Sequence, residues 1–351
     1  MATVQEEPRT GCPKRMVHGP CGGVRDGGGC EMVASPCVFL DPGSWPAAPE
    51  PAASSTPVRV PLVLTDLSTP PGDAATLRRT VELLAPTCDA VLVGDHQDRP
   101  DFPPSTLARL VDAAGGVPWV TLACRDRNRV TLEQELRALA LDGLATVLCV
   151  TGDGRAYDVR PDVTQVFDLD GTRLAALAAG FGLPVAVPET PTARPVELRP
   201  RRLVHKQRAG AGAAVLNHVP RTEDVRTFVA AARALGLTIP VVASVPVFTD
   251  ACSAAALSAL PGLEIDPARV EAVVTADDPV AAGIASAVDE AERLLDVDGV
   301  VGVNLSGMAS ARGVLDAAEV QAATGRAVRE RVARVRRGRD RSTRERTRQR
   351  P

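Results

Sequence analysis

Short apolar runs recur along the chain at near-regular intervals. They are PLVLT (61–65), AVLVG (90–94), PWVTLAC (118–124), ATVLCVTG (145–152), LPVAVP (183–188), AAVLNHV (213–219), IPVVASVP (239–246) and GVVGVNLSG (299–307). Each is rich in Val, Leu and Ile without polar alternation, the pattern of strands covered on both faces. The stretches between them carry helical spacing. DAATLRRTVELLA sets Leu77, Val81 and Leu84 on one stripe. TLEQELRALALDG offers Thr131 as a start signal and Gly143 as a stop, and residues 279–296 repeat the amphipathic pattern. Eight strands alternating with helices predict an α/β chain, a (β/α)8 barrel of the TIM class over residues 61–328. A doubly wound open sheet is the competing arrangement.

The flanks differ. Residues 1–40 are rich in Gly and Cys, and residues 41–60 read as a Pro/Ala linker. Residues 329–351 form a basic Arg-rich tail. From residue 326 onward twelve arginines face only Glu330, Asp340 and Glu345, so the net charge of −3 hides an acidic body. Such a tail predicts a solvated terminus rather than a nucleic-acid arm. No run of eighteen apolar residues and no leader-like N-terminus are present, so no membrane partner is expected. Cys88, Cys124, Cys149 and Cys252 are scattered, which suits free thiols in a reducing, cytoplasmic setting.

Barrel chemistry gathers where strands end. Those positions offer Asp66; Asp95 and His96; Arg125, Asp126 and Asn128; Thr151, Asp153 and Tyr157; Glu189; Asn217 and His218; Asn304 and Ser306. A ring of carboxylates, amides and imidazoles suits binding of a polar heterocycle and proton or hydride movement around it. Polar loop capping accounts for many such residues equally well. In TGDG the glycines flanking Asp153 allow a backbone to approach a ligand. Lys206 reads on spacing alone as solvent-facing. No phosphate-binding P-loop, nucleophile elbow or Rossmann fingerprint occurs.

Cys12, Cys21, Cys30 and Cys37 follow a Cys-x8-Cys-x8-Cys-x6-Cys spacing, unlike a common zinc finger. Taken alone it leaves metal ligands, disulfides and free thiols open. The interleaved glycines favour a tight knuckle whose amides turn toward sulfur. His18 is the one further nitrogen donor nearby and reads as solvent-exposed.

WVTLACRDRNRVTLEQELRALALDGLATVLCVTGD (119–153), VAVPETP and LVHKQRAGAGAAVLN resemble, in order and spacing, the strand-three-to-six region of methylenetetrahydrofolate reductases. CPKRMVHGPCGG…GGCE…C resembles the cysteine-rich module that accompanies these reductases in some bacteria. The resemblance implies a barrel that carries FAD, takes hydride from NAD(P)H and reduces 5,10-methylenetetrahydrofolate to 5-methyltetrahydrofolate. It assigns proton donation to Asp66 and catalysis beside the flavin and folate to Asp153. Thr121, Thr151, Lys206 and His96 fall at cofactor-contacting positions, and Glu189 and Asn217 at substrate positions. It raises metal, zinc or a [4Fe–4S] cluster, as the reading of Cys12, Cys21, Cys30 and Cys37. An electron-transfer or methyl-transfer partner protein and a homo-oligomer stay open.

Two departures stand out. The family's strand-one glutamate is Asp66, one methylene shorter. The aromatics expected after strands two and six are absent, in a chain with one Tyr and six Phe. A non-catalytic folate-binding barrel or a folate-dependent methyl-transfer enzyme is therefore the alternative.

Overall fold

The computed structural model describes the chain except residues 1–6, 42–47, 54, 97–98, 155–161, 259–262 and 349–351, and describes no side chains over 336–348. Eight parallel strands close on themselves in sequence order: β1 Val63–Leu67, β2 Ala90–Val93, β3 Pro118–Ala123, β4 Thr146–Val150, β5 Val185–Glu189, β6 Ala213–Leu216, β7 Val241–Val247 and β8 Val300–Gly307. Closure is made by β1 pairing β8, with Val63 opposite Val303 and Thr65 opposite Leu305. Closure leaves the sheet without an exposed edge.

The helices are α1 Ala74–Leu84, α2 Pro104–Ala113, α3 Arg129–Asp142, α4 Gly171–Gly180, α5 Arg199–Arg208, α6 Thr222–Ala234, α7 Ala251–Ser258, α8 Pro267–Val274, α9 Pro279–Leu295 and α10 Val314–Arg348. In α1, Leu77, Val81 and Leu84 are buried as the stripe predicts, and the Asp73 side chain caps the first turn at Thr76. α3 begins three residues earlier than expected. Asn128, not Thr131, is its cap, because the Asn128 carboxamide accepts the Thr131 N–H at 3.0 Å. Gly143 ends it in the left-handed conformation.

Two apolar layers follow from strand alternation. Outward side chains such as Val63, Val91, Val147, Val245 and Leu305 join the helices in the main core. Inward ones, Leu64, Leu92, Trp119, Leu148, Ala186, Val215 and Val242, fill the barrel, and Trp119 is the largest of them. This plug leaves the strands' C-terminal ends as the place where a cavity can open.

Both flanks depart from expectation. The described part of the 41–60 segment is not a free linker. Thr56 bridges Pro184 and its hydroxyl donates to the Gly182 carbonyl at 2.7 Å, while Val58 and Val60 pack against the barrel plug. Nor does a separate tail begin at 329, since α10 continues without a break to Arg348, with Arg329 on Asp89 and Arg331 on Glu292. No helix among the described residues is long and apolar enough to cross a membrane.

Because Trp119 fills the barrel centre, Trp119→Ala should lower unfolding free energy by about 3–5 kcal/mol. Urea titration followed by far-UV circular dichroism reads this as a lower midpoint.

Candidate functional site

A cavity of about 290 Å³ opens at the C-terminal ends of β3 to β6. Six of the eight barrel residues singled out above line it: Thr121, Thr151, Asp153, Glu189, Lys206 and Asn217. Period-two alternation explains the first, since Thr121 points inward above Trp119. Thr151 sits one residue beyond β4, where its hydroxyl accepts the Gly171 N–H at 2.9 Å and fixes the start of α4. Asn217 donates to the Thr190 hydroxyl at 2.7 Å.

The floor is a buried ion cluster. Glu189, at the end of β5, faces three cations from one side of α5: Arg199 at 3.4 Å, Arg202 at 2.7 Å and Lys206 at 3.0 Å. Their spacing is i, i+3, i+7, a single helical face. Burial alone would raise the Glu189 carboxyl, but Lys206, Arg202 and Arg199 hold it far below the usual carboxylate range. Burial, joined by Arg202 and Arg199 and opposed by Glu189, lowers Lys206 to about 7. Both Glu189 oxygens are thus committed, so this residue anchors the floor rather than standing free for a substrate. Lys206, expected at the surface on spacing alone, is enclosed.

Two predicted residues lie outside the cavity lining. His96 stands 3.6 Å from Asp101, and its carbonyl accepts from Arg125 at 3.1 Å. Asp66 is across the barrel mouth, where Asn304 donates to it at 2.9 Å and the Gly307 N–H at 3.2 Å. Burial pushes the Asp66 carboxyl up, against the pull of Asn304, Gly307 and Ser306. It is therefore suited to hold a proton. His218 is buried on the Glu264 carbonyl at 3.1 Å, and burial pulls its imidazole down to about 4. Tyr157 lies outside the described residues.

The cysteine-rich segment forms the remaining wall. Lys14 reaches over the barrel mouth, donates to the Gly152 carbonyl at 2.7 Å and pairs with Glu31. Burial opposes its charge, but Cys21, Glu31 and Asp153 raise its pKa overall. Val17 N–H donates to Asp170, whose other oxygen caps α4. Arg199, completely buried, donates to the carbonyls of Ala193 at 2.9 Å and Cys21 at 2.8 Å. Gly154 of TGDG thus serves the segment's approach. Gly152 sits at φ +89°, and a Cβ on Gly154 would fall 1.8 Å from the Met32 sulfur. His18, expected at the surface, is buried.

Cys12, Cys21, Cys30 and Cys37 line a second, smaller cavity of about 20 Å³. Each sulfur meets the backbone N–H two residues on: Lys14, Gly23, Met32 and Phe39. That repeated turn suits thiolate ligation. The thiols are free, and burial raises Cys21 to about 12. Among the described residues no three His, Cys, Asp or Glu side chains are already gathered closely enough to hold an ion.

The residues present fit FAD poorly. The barrel cavity has cations for a diphosphate, but among the described residues its lining includes no Phe, Tyr or Trp ring on which an isoalloxazine could stack.

Sequence reasoning missed Lys14, Glu31, Arg199 and Arg202. The two arginines carried a readable signal, the cationic stripe in RPRRLVHKQR. Lys14 and Glu31 carried none, because their barrel partners, Gly152 and Gly154, are more than a hundred residues away.

No protein-family model matches the chain, and no curated protein matches it. Among solved structures, the chain is similar to an uncharacterized protein from Clostridium thermocellum that binds two copies of 5-methyl-5,6,7,8-tetrahydrofolic acid. Identity is 14%, over 77% of this chain and 95% of that one, with a TM-score of 0.49. It is also similar to tryptophan synthase from M. tuberculosis, at 15% identity over 79% and 93% of the two chains, with a TM-score of 0.43. At these values neither likeness bears on activity.

Arg199→Met should release the segment from the barrel, so that limited proteolysis cuts within residues 7–41 well before the barrel. The lowered pKa of Lys206 gives a signed pH effect. Below about 7 the ammonium is charged in both folded and unfolded chains, and the native state bears its burial cost. From 7 to about 10 the native state has shed the proton and the unfolded chain has not, so stability rises with pH. Relative to Lys206→Met, the wild type should gain in urea midpoint across that window.

Proposed function

We propose that the chain is a reduced-folate oxidoreductase that converts 5,10-methylenetetrahydrofolate to 5-methyltetrahydrofolate with NAD(P)H as donor. The observation that carries this reading is the convergence of Thr121, Thr151, Asp153, Lys206, Glu189 and Asn217 on one cavity, in the order the resemblance assigns. The chemistry balances as follows. A proton delivered to the bridging nitrogen breaks one C–N bond and leaves an iminium. A hydride from the nicotinamide then reduces that carbon to a methyl group, and the dinucleotide leaves oxidised.

Asp66 is the proton donor in this scheme, since burial keeps its carboxyl protonated to higher pH than an ordinary aspartate. Asp153 and Asn217 hydrogen-bond the heterocycle. Lys206, with Arg202 behind it, makes the floor attractive to an anionic group. No step is routed through a flavin, for which the described lining offers no stacking ring.

A ligand role for Cys12, Cys21, Cys30 and Cys37 is supported by the resemblance and by the backbone amide beside each sulfur, while among the described residues the four are not gathered into an ion site.

A second reading is a barrel that binds reduced folate on behalf of a methyl-transfer partner protein. It is favoured by the place of Asp66 outside the cavity lining.

Asp153→Ala should cut NAD(P)H-dependent turnover of 5,10-methylenetetrahydrofolate by about 10²-fold or more while circular dichroism stays unchanged. Asp66→Asn should cause a similar loss and remove the fall in rate that deprotonation of Asp66 produces as pH rises. Calorimetric binding of 5-methyltetrahydrofolate with no turnover by the wild type would select the second reading. Flavin absorbance in the purified protein would restore FAD to the scheme.

A further inference from the structure

Asp153 stands between Gly152 and Gly154 in the loop that follows β4. Glycine leaves a backbone freer than any other residue does, and Gly152 sits at φ +89°. Such a loop cannot by itself keep a carboxylate in one place. A group that works on a ligand must be held to about 0.5 Å, and a misplacement of about 1 Å can cost about 10²-fold in rate. The hold has to come from outside the loop.

The N-terminal segment grips the loop on both sides of Asp153. On one side the Lys14 ammonium donates to the Gly152 carbonyl at 2.7 Å. On the other the Gly154 N–H donates to Glu31 Oε2 at 3.2 Å. Lys14 and Glu31 are themselves an ion pair, with side chains 3% and 2% exposed, so the two grips act as one unit. The Cys21 thiol donates to Glu31 Oε1 at 3.1 Å and orients that carboxylate. The Met32 sulfur covers Gly154 and closes the loop from above. Asp153 also lies near enough for its charge to favour the Lys14 ammonium. Lys14 and Asp153 line the barrel cavity, while Glu31 lines the smaller cavity behind it.

We propose that Lys14 and Glu31 are positioning residues for Asp153: the cysteine-rich segment clamps the two peptide groups that flank this residue and so sets where its carboxylate meets a ligand. The inference rests on the role given to Asp153 above; only one arm of its test uses folate.

Hydrogen exchange is followed in peptides covering residues 151–154 of the full chain. Lys14→Met/Glu31→Gln removes both charges together and should speed exchange there by about tenfold, the loss of one buried hydrogen bond, while Lys14→Arg keeps the wild-type rate. Glu31→Asp keeps the ion pair but withdraws the carboxylate by one methylene. It should also speed exchange, and it carries the test if circular dichroism shows the double variant unfolded. In the second arm, turnover of 5,10-methylenetetrahydrofolate is measured in a cycle with Asp153→Ala. Loosening the clamp should lower kcat about tenfold with a smaller change in KM, and should change nothing once residue 153 is alanine. Where the wild type binds 5-methyltetrahydrofolate without turnover, affinity is read in the same cycle. Equal losses with and without the Asp153 carboxylate overturn the positioning role. Wild-type exchange in both clamp variants overturns the clamp. Full turnover by Asp153→Ala removes that residue's role and the positioning with it. Neither turnover nor folate binding by the wild type removes the folate reading, and the clamp then stands or falls on exchange alone.

Discussion

A single carboxylate, Glu189, holds one side of this molecule together. It is buried at the end of β5 among Arg199, Arg202 and Lys206. One negative charge does not balance three positive ones. The remainder is met by backbone carbonyls: Pro188 for Lys206, and Ala193, Arg194, Pro20 and Cys21 for Arg199. Two of those carbonyls belong to the N-terminal segment, so the electrostatic need of the barrel floor is also the docking force for its cover. Taking away one partner of such a cluster leaves an uncompensated buried charge, which costs far more than an exposed pair would contribute. The low pKa of Lys206 follows first from its burial and then from this surplus of positive charge.

The rim has two chemically different halves. On β3 to β6 the cavity is cationic at its floor and closed above by Lys14. On β1, β7 and β8 the inward positions are Asp66, Ser244, Asn304 and Ser306, with Asn304 reaching both Asp66 and Ser244. The first half suits holding an anionic or polar ring. The second suits keeping a proton on a carboxyl. One ligand spanning the mouth would touch both.

The barrel was legible in the sequence because its strands are buried on both faces, which turns each into a compact apolar word, and because strand ends are where rim residues must fall. Thr151, Asp153 and Asn217 could be found that way, whereas Thr121, inside β3, came only from the resemblance. Asn128 was readable as a rim residue and proved to be a helix cap, the ordinary fate of an Asn at a loop–helix junction. The function of the TGDG glycines was misread because the chain that approaches them lies far back in the sequence. Pro/Ala-rich composition likewise suggested a loose tether over 41–60. Yet Val58 and Val60 reach the plug, since two β-branched residues suffice to seal a barrel end already lined by Leu64 and Val215. Long-range partnerships leave no local trace, and the cover is built from them.

The ties from Lys14 to Gly152 and from Arg199 to Cys21 span 138 and 178 residues. Contacts of that separation close large loops and form late. During synthesis the cysteine segment leaves the ribosome before the barrel, yet its last anchor, Arg199, does not exist until the chain from the linker through β5 has followed. Through that interval its four thiols have no barrel to shelter them. The segment that seals the finished molecule is thus the part most open to oxidation while the molecule is being made.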